Sequence, residues 1–95
     1  MASKVYFTDF CTNNGAETLP QKLARLCLTA GMDQIDFQDK FVAIKIHFGE
    51  LGNLAYLRPN YAKVIVDLVK DMGGKPFLTD ANTMYVGSRK NALDH

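Results

Sequence analysis

Four residues in this chain carry side chains suited to proton transfer or charge stabilisation: Lys45, His47, Glu50 and Asp80. A histidine and two carboxylates can trade protons with a bound molecule, and a lysine can hold an anion or polarise a carbonyl. We read these four as the catalytic candidates. A second set, Gly49, Asn53, Tyr56, Arg58, Asn82, Tyr85 and Arg89, offers close backbone approach, amide and hydroxyl hydrogen bonds and positive charge. It reads as ligand-binding. His47, Glu50 and Asp80 would also suit a divalent cation, so a metal-dependent enzyme is an alternative reading. Each residue has a plainer use as well. Lys45 can snorkel out of its strand, and His47 can be a hydrogen-bonded structural residue. Glu50 and Asp80 can pair with Arg58 or Lys45, and Asp80 can bond its own turn.

The elements that must position these residues centre on residues 40–59, KFVAIKIHFGELGNLAYLRP. Its first half is a run of bulky residues, Phe41, Val42, Ile44, Ile46 and Phe48, which reads as a strand over 41–48 buried on both faces. Alternation puts Lys45 and His47 on one face of it. The second half is a polar loop with Gly49 and Gly52, and Pro59 opens a helix.

Upstream, residues 4–8 (KVYFT) predict a first strand, followed by a polar loop whose turn signal is Asn13, Asn14 and Gly15. Thr18 with Gln21 three residues on predicts a capping box. Leu19, Leu23, Leu26, Cys27 and Ala30 then repeat at helical spacing, and Gly31 follows as a stop. Downstream, the helix from Pro59 carries a stripe of Tyr61, Ile65, Leu68, Val69 and Met72 and ends at Gly73-Gly74. Residues 75–79 (KPFLT) predict another strand, and Ser88 caps a third helix running to His95.

The order β-α-β-α-β-α predicts an α/β fold, three-layered, with a small parallel sheet. All carboxyl ends of such a sheet lie on one side. The residues after each strand, Thr8–Cys11, Lys45–Arg58 and Thr79–Arg89, would therefore share one edge, where open α/β sheets place ligands. A sheet of three strands is thin, and the chain stops in mid-helix. The expectation is one partial α/β domain over 1–95, a fragment of a larger domain or one completed by a second copy through its open edge.

At 95 residues the chain can bury roughly 60–70% of its unfolded surface. A net charge of +1 argues against a nucleic-acid partner. No apolar run approaches the roughly 20 residues of a membrane span, and the N-terminus lacks a signal-peptide core, so a cytoplasmic location is the default. Cys11 and Cys27 fit neither a zinc pair nor a cluster ligand set, and they read as unpaired thiols. There is no dinucleotide fingerprint, phosphate-binding loop or nucleophile elbow.

At KIHFGE (45–50), NLAYLRP (53–59), GGKPFLTDANTMYVGSR (73–89) and NALDH (91–95), the sequence resembles the amino-terminal part of a prokaryotic family, domain of unknown function three-six-two. The likeness runs over nearly the whole chain. It implies a truncated product of a longer protein. It also implies an association with iron–sulfur chemistry, because longer members carry a ferredoxin-like module binding four-iron, four-sulfur clusters through CxxCxxCxxxCP runs. Those cysteines are not in this chain, so no cofactor is expected within it. The partners implied are a small ligand and the C-terminal remainder of a longer protein, or a second copy.

Three readings follow. The first is the N-terminal α/β domain of an iron–sulfur family protein with a ligand pocket at the strand ends. The second is the divalent-metal enzyme using His47, Glu50 and Asp80. The third is a non-enzymatic interaction module completed by self-association.

Overall fold

A computed structural model describes residues 2–12, 15 and 17–93. The turn signal at Asn13 and Asn14, and the last two residues of the expected third helix, Asp94 and His95, lie outside the described residues.

The first helix, α1, spans Leu19–Thr29. Its start is set by the capping box: the Gln21 amide donates to Thr18 Oγ1 at 3.3 Å, and the Thr18 amide donates to Gln21 Oε1 at 2.8 Å. Gly31 takes φ +100°, a left-handed turn that stops the helix, and a short 3-10 turn at Met32–Gln34 follows. The second helix, α2, spans Pro59–Asp71 and holds the only two buried apolar residues among the described residues, Ala62 and Val69. Gly74 lets the chain turn tightly back: a Cβ there would sit 2.6 Å from Val69 Cγ1.

Two parallel strands flank α2 in the chain, β1 at Phe41–Lys45 and β2 at Lys75–Thr79. They pair in register from Phe41 with Lys75 to Lys45 with Thr79. The fold is α/β with a small parallel sheet. α2 packs on both strands and α1 packs on α2.

Three expectations change. Residues 4–8 form no strand: they pair with nothing in the sheet, and Val5 and Phe7 stand 87% and 84% exposed. β-propensity alone does not make a strand without a neighbouring ladder. The strand expected over 41–48 ends at Lys45, because β2 ends at Thr79. The last sheet-like bond runs from the Ile46 amide to the Thr79 carbonyl, and the Phe48 amide turns to the Asp80 carboxylate instead. The third helix is absent from 88–93, which are turns. The Arg89 carbonyl, which a helix would need for the Leu93 amide, accepts from Thr83 at 2.9 Å, and the Leu93 amide donates to Asn91 Oδ1.

Burial on both faces is also not what β1 has. Val42 and Ile44 are half-buried on the α2 side, while Phe41 and Ala43 are exposed. With Phe77 beside Ala43, they make a bare apolar face: Phe41 is 78% and Phe77 49% exposed. The accessible surface is 7431 Å². A compact chain of this size would show about 5,500 Å² and an unfolded one about 15,000 Å², so burial is about half rather than 60–70%. Among the described residues, no helix is long and apolar enough to cross a membrane.

Candidate functional site

The carboxyl ends of β1 and β2 lie side by side, so the loops after them meet. Asp80, the first residue past β2, is the centre of that meeting. Its side chain is only 2% exposed and accepts from four donors among the described residues. The Phe48 amide donates at 2.9 Å and the Ala81 amide at 2.7 Å. Lys45 Nζ lies 2.9 Å away, and Arg89 Nη2 lies 3.1 and 3.2 Å from the two carboxylate oxygens. The Phe48 hydrogen bond, then Lys45, Ala81 and Arg89, hold the Asp80 carboxyl far below the usual carboxylate range, against the opposing cost of burial.

Arg89 is buried, and its other terminal nitrogen stands 2.7 Å from His47 Nε2. Its Nη2 also donates to the Ala81 carbonyl at 3.0 Å. His47 Nδ1 receives the Gly49 amide at 2.9 Å. The result is a chain of contacts, Lys45–Asp80–Arg89–His47, that ties the end of β1 to the loop after β2.

A second bond joins the same loops farther out: Tyr85 donates its hydroxyl to Glu50, 3.2 and 3.4 Å from the two oxygens. Gly49 adopts φ +107° and Gly52 φ +86°, and the Asn53 amide donates to the Glu50 carbonyl at 2.8 Å. This tight loop and the 88–89 turn enclose an open cleft of about 410 Å³. Gly49, Glu50, Asn53, Tyr56 and Arg89 line it, with Ser88 on the far wall. Tyr56 lies against Gly49, whose missing side chain leaves room for the ring.

The structure thus gathers Lys45, His47, Asp80 and Arg89 into one cluster, and Gly49, Glu50, Asn53 and Tyr56 into the adjoining cleft, which Tyr85 borders through Glu50. Arg58 is separate. It caps α2 and lines a neighbouring hollow with Leu54, Tyr56, Pro59 and Asn60. Asn82 is exposed and does not line the cleft. Asp9 and Cys11, expected at the same edge, are instead tied to α1. Lys22 Nζ stands 2.6 Å from Asp9 Oδ1, which depresses that carboxyl, and 2.6 Å from the Cys11 carbonyl. The three residues weighed as cation ligands are not drawn into one group, and Asp80 is engaged by Phe48, Ala81, Lys45 and Arg89. Among the described residues no group of three His, Cys, Asp or Glu side chains is gathered.

Sequence reasoning missed the Phe48 and Ala81 amides as partners of Asp80 and the apolar wall of Leu51 and Leu54. The signal for the amides was there: parallel register sets the residue after Thr79 beside the residues after Lys45.

The family described as Domain of unknown function (DUF362) matches residues 42–95, which take in β1 from Val42 on, α2, β2 and the loops of the site. No curated protein and no solved structure matches the chain.

Proposed function

The chain belongs to the family described as Domain of unknown function (DUF362), and from that premise we propose that its strand-end loops bind a small polar ligand on behalf of a longer, iron–sulfur-associated protein. The observation that carries the reading is the cleft of about 410 Å³ lined by Glu50, Asn53, Tyr56, Ser88 and Arg89. It sits outside the carboxyl ends of parallel strands, where α/β sheets take ligands. Its walls offer a carboxylate, an amide and hydroxyls beside the exposed apolar side chains of Leu51 and Leu54. Asp80 serves the site by fixing its walls, since its oxygens are engaged by Phe48, Ala81, Lys45 and Arg89. Glu50 is the carboxylate that faces the cleft. The iron–sulfur association rests on the family resemblance and gives the site a setting, not a reaction.

The test is chemical-shift mapping of the labelled chain against citrate, inorganic phosphate and glycerol. Shifts confined to 48–56 and 88–89, lost in Glu50→Gln or Asn53→Ala, are the expected result. Shifts elsewhere, or none with any probe, would remove the reading.

The bare face of Phe41, Ala43 and Phe77 favours a second reading, an interaction module completed by a second copy. Parallel sheets are normally covered on both faces. Sedimentation velocity checks it: concentration-dependent association that Phe41→Ser abolishes supports it, and a monomer at high concentration counts against it.

A further inference from the structure

We propose that His47 and Arg89 form a proton-sensitive clasp that holds the 80–90 loop, and with it one wall of the cleft, against the end of β1. The ring of His47 has an N–H donor at each nitrogen: the Gly49 amide 2.9 Å from Nδ1, and Arg89 Nη1 2.7 Å from Nε2. An uncharged imidazole has one accepting nitrogen and one N–H, so it satisfies only one of these donors at a time. The guanidinium cannot give up its proton in exchange, and its bond to the ring is the charge-assisted one. A ring that gains a proton has N–H groups on both sides and a positive charge facing Arg89. The contact then ends.

The groups around the ring make this response specific. From the loop after β2 come Arg89 and, behind it, Asp80. From β1 comes Lys45, which reaches Asp80 and not the ring. On the α2 side the hollow beside His47 is lined by Tyr56, Leu57, Pro59, Ala62 and Leu78. No carboxylate among these described residues touches the ring, so none of them compensates an added charge in direct contact.

Loss of the clasp removes one of the contacts that hold Arg89, while those to Asp80 and the Ala81 carbonyl stay in place. The consequence reaches the cleft through the backbone, because the Arg89 carbonyl holds the Thr83 amide at 2.9 Å and Ser88 and Arg89 form the cleft wall.

The experiment follows the full chain by NMR between pH 8 and 5. The His47 ring nitrogens are read directly, and the Thr83 amide is read by hydrogen exchange corrected for its intrinsic pH dependence. The expected result is Thr83 protection that falls by about tenfold or more, the loss for one hydrogen bond to a charged group, at the pH where the His47 ring itself titrates. In His47→Gln, which has no titrating ring at position 47, protection stays level with pH. Protection that is level in the wild-type chain, that changes at a different pH from the ring, or that still changes in His47→Gln overturns the proposal. The wild-type coincidence alone decides the matter if the variant does not fold.

Discussion

Arg89 reaches back nine residues to Asp80 and sets one nitrogen 3.1 Å from Oδ1 and 3.2 Å from Oδ2, with the carboxylate almost wholly out of solvent. This pair joins the loop after β2 to itself, while Phe48 and Lys45 join the same carboxylate to the end of β1. Removing Arg89 takes one counter-charge from a buried carboxylate, and removing Asp80 takes one from a buried guanidinium, and either costs more than breaking an exposed pair. Arg89→Ala and Asp80→Asn should each lower the urea midpoint clearly. Lys63→Ala, which breaks the exposed pair with Asp67 at 2.7 Å, should cost no more than about 0.5 kcal/mol. Equal effects in the two places would refute the central role of Asp80.

Acid should act through the same carboxylate. Its folded pKa is depressed below the ordinary 3.8, first by the Phe48 hydrogen bond. A depressed carboxyl stabilises the fold fully above its unfolded pKa, where both states are ionised. As pH falls below that value the unfolded chain takes up the proton first, and the contribution is lost as pH falls on towards the folded pKa. Urea midpoints should therefore hold through neutral pH and drop below about pH 4. Asp80→Asn should start lower and show a shallower acid slope.

Gly49→Ala should damage the cleft before it damages the fold. Position 49 takes φ +107°, and an added Cβ would stand 3.1 Å from the Tyr56 ring. The backbone term is about 1–2 kcal/mol. Tyr56 must also move. A calorimetric scan should show the loss, and the Tyr56 ring resonances should shift while those of α1 stay in place.

Val69→Ala tests how little core there is. Val69 is 1% exposed and Gly74 packs directly against it. Losing two methyl groups there should cost about 2–3 kcal/mol, transfer plus cavity. In a chain that buries only about half of its unfolded surface, that is a large share of the total stability. A fall in Tm of less than roughly 5 °C would place the core elsewhere.

The sequence by itself determined the features that close within one turn or one strand. Thr18 and Gln21 specify the start of α1, Gly31 and Gly73 the ends of the helices, and alternation the shared face of Phe41, Ala43 and Lys45. These rest on bonds and sterics between residues a few positions apart, and the structure keeps them. The α/β class and the parallel pairing of β1 with β2 were legible for the same reason, since two apolar runs joined by one helix leave few arrangements. Tertiary structure alone decided the rest. Residues 4–8 have the composition of a strand and no ladder to join. Residues 88–93 have the cap of a helix, but the Arg89 carbonyl is spent on Thr83 and its side chain on Asp80 and His47. That Asp80 is an engaged hub and Glu50 the carboxylate on the cleft follows from the register that sets Lys45 against Thr79. Register is a property of two segments thirty-odd residues apart, and no local pattern carries it.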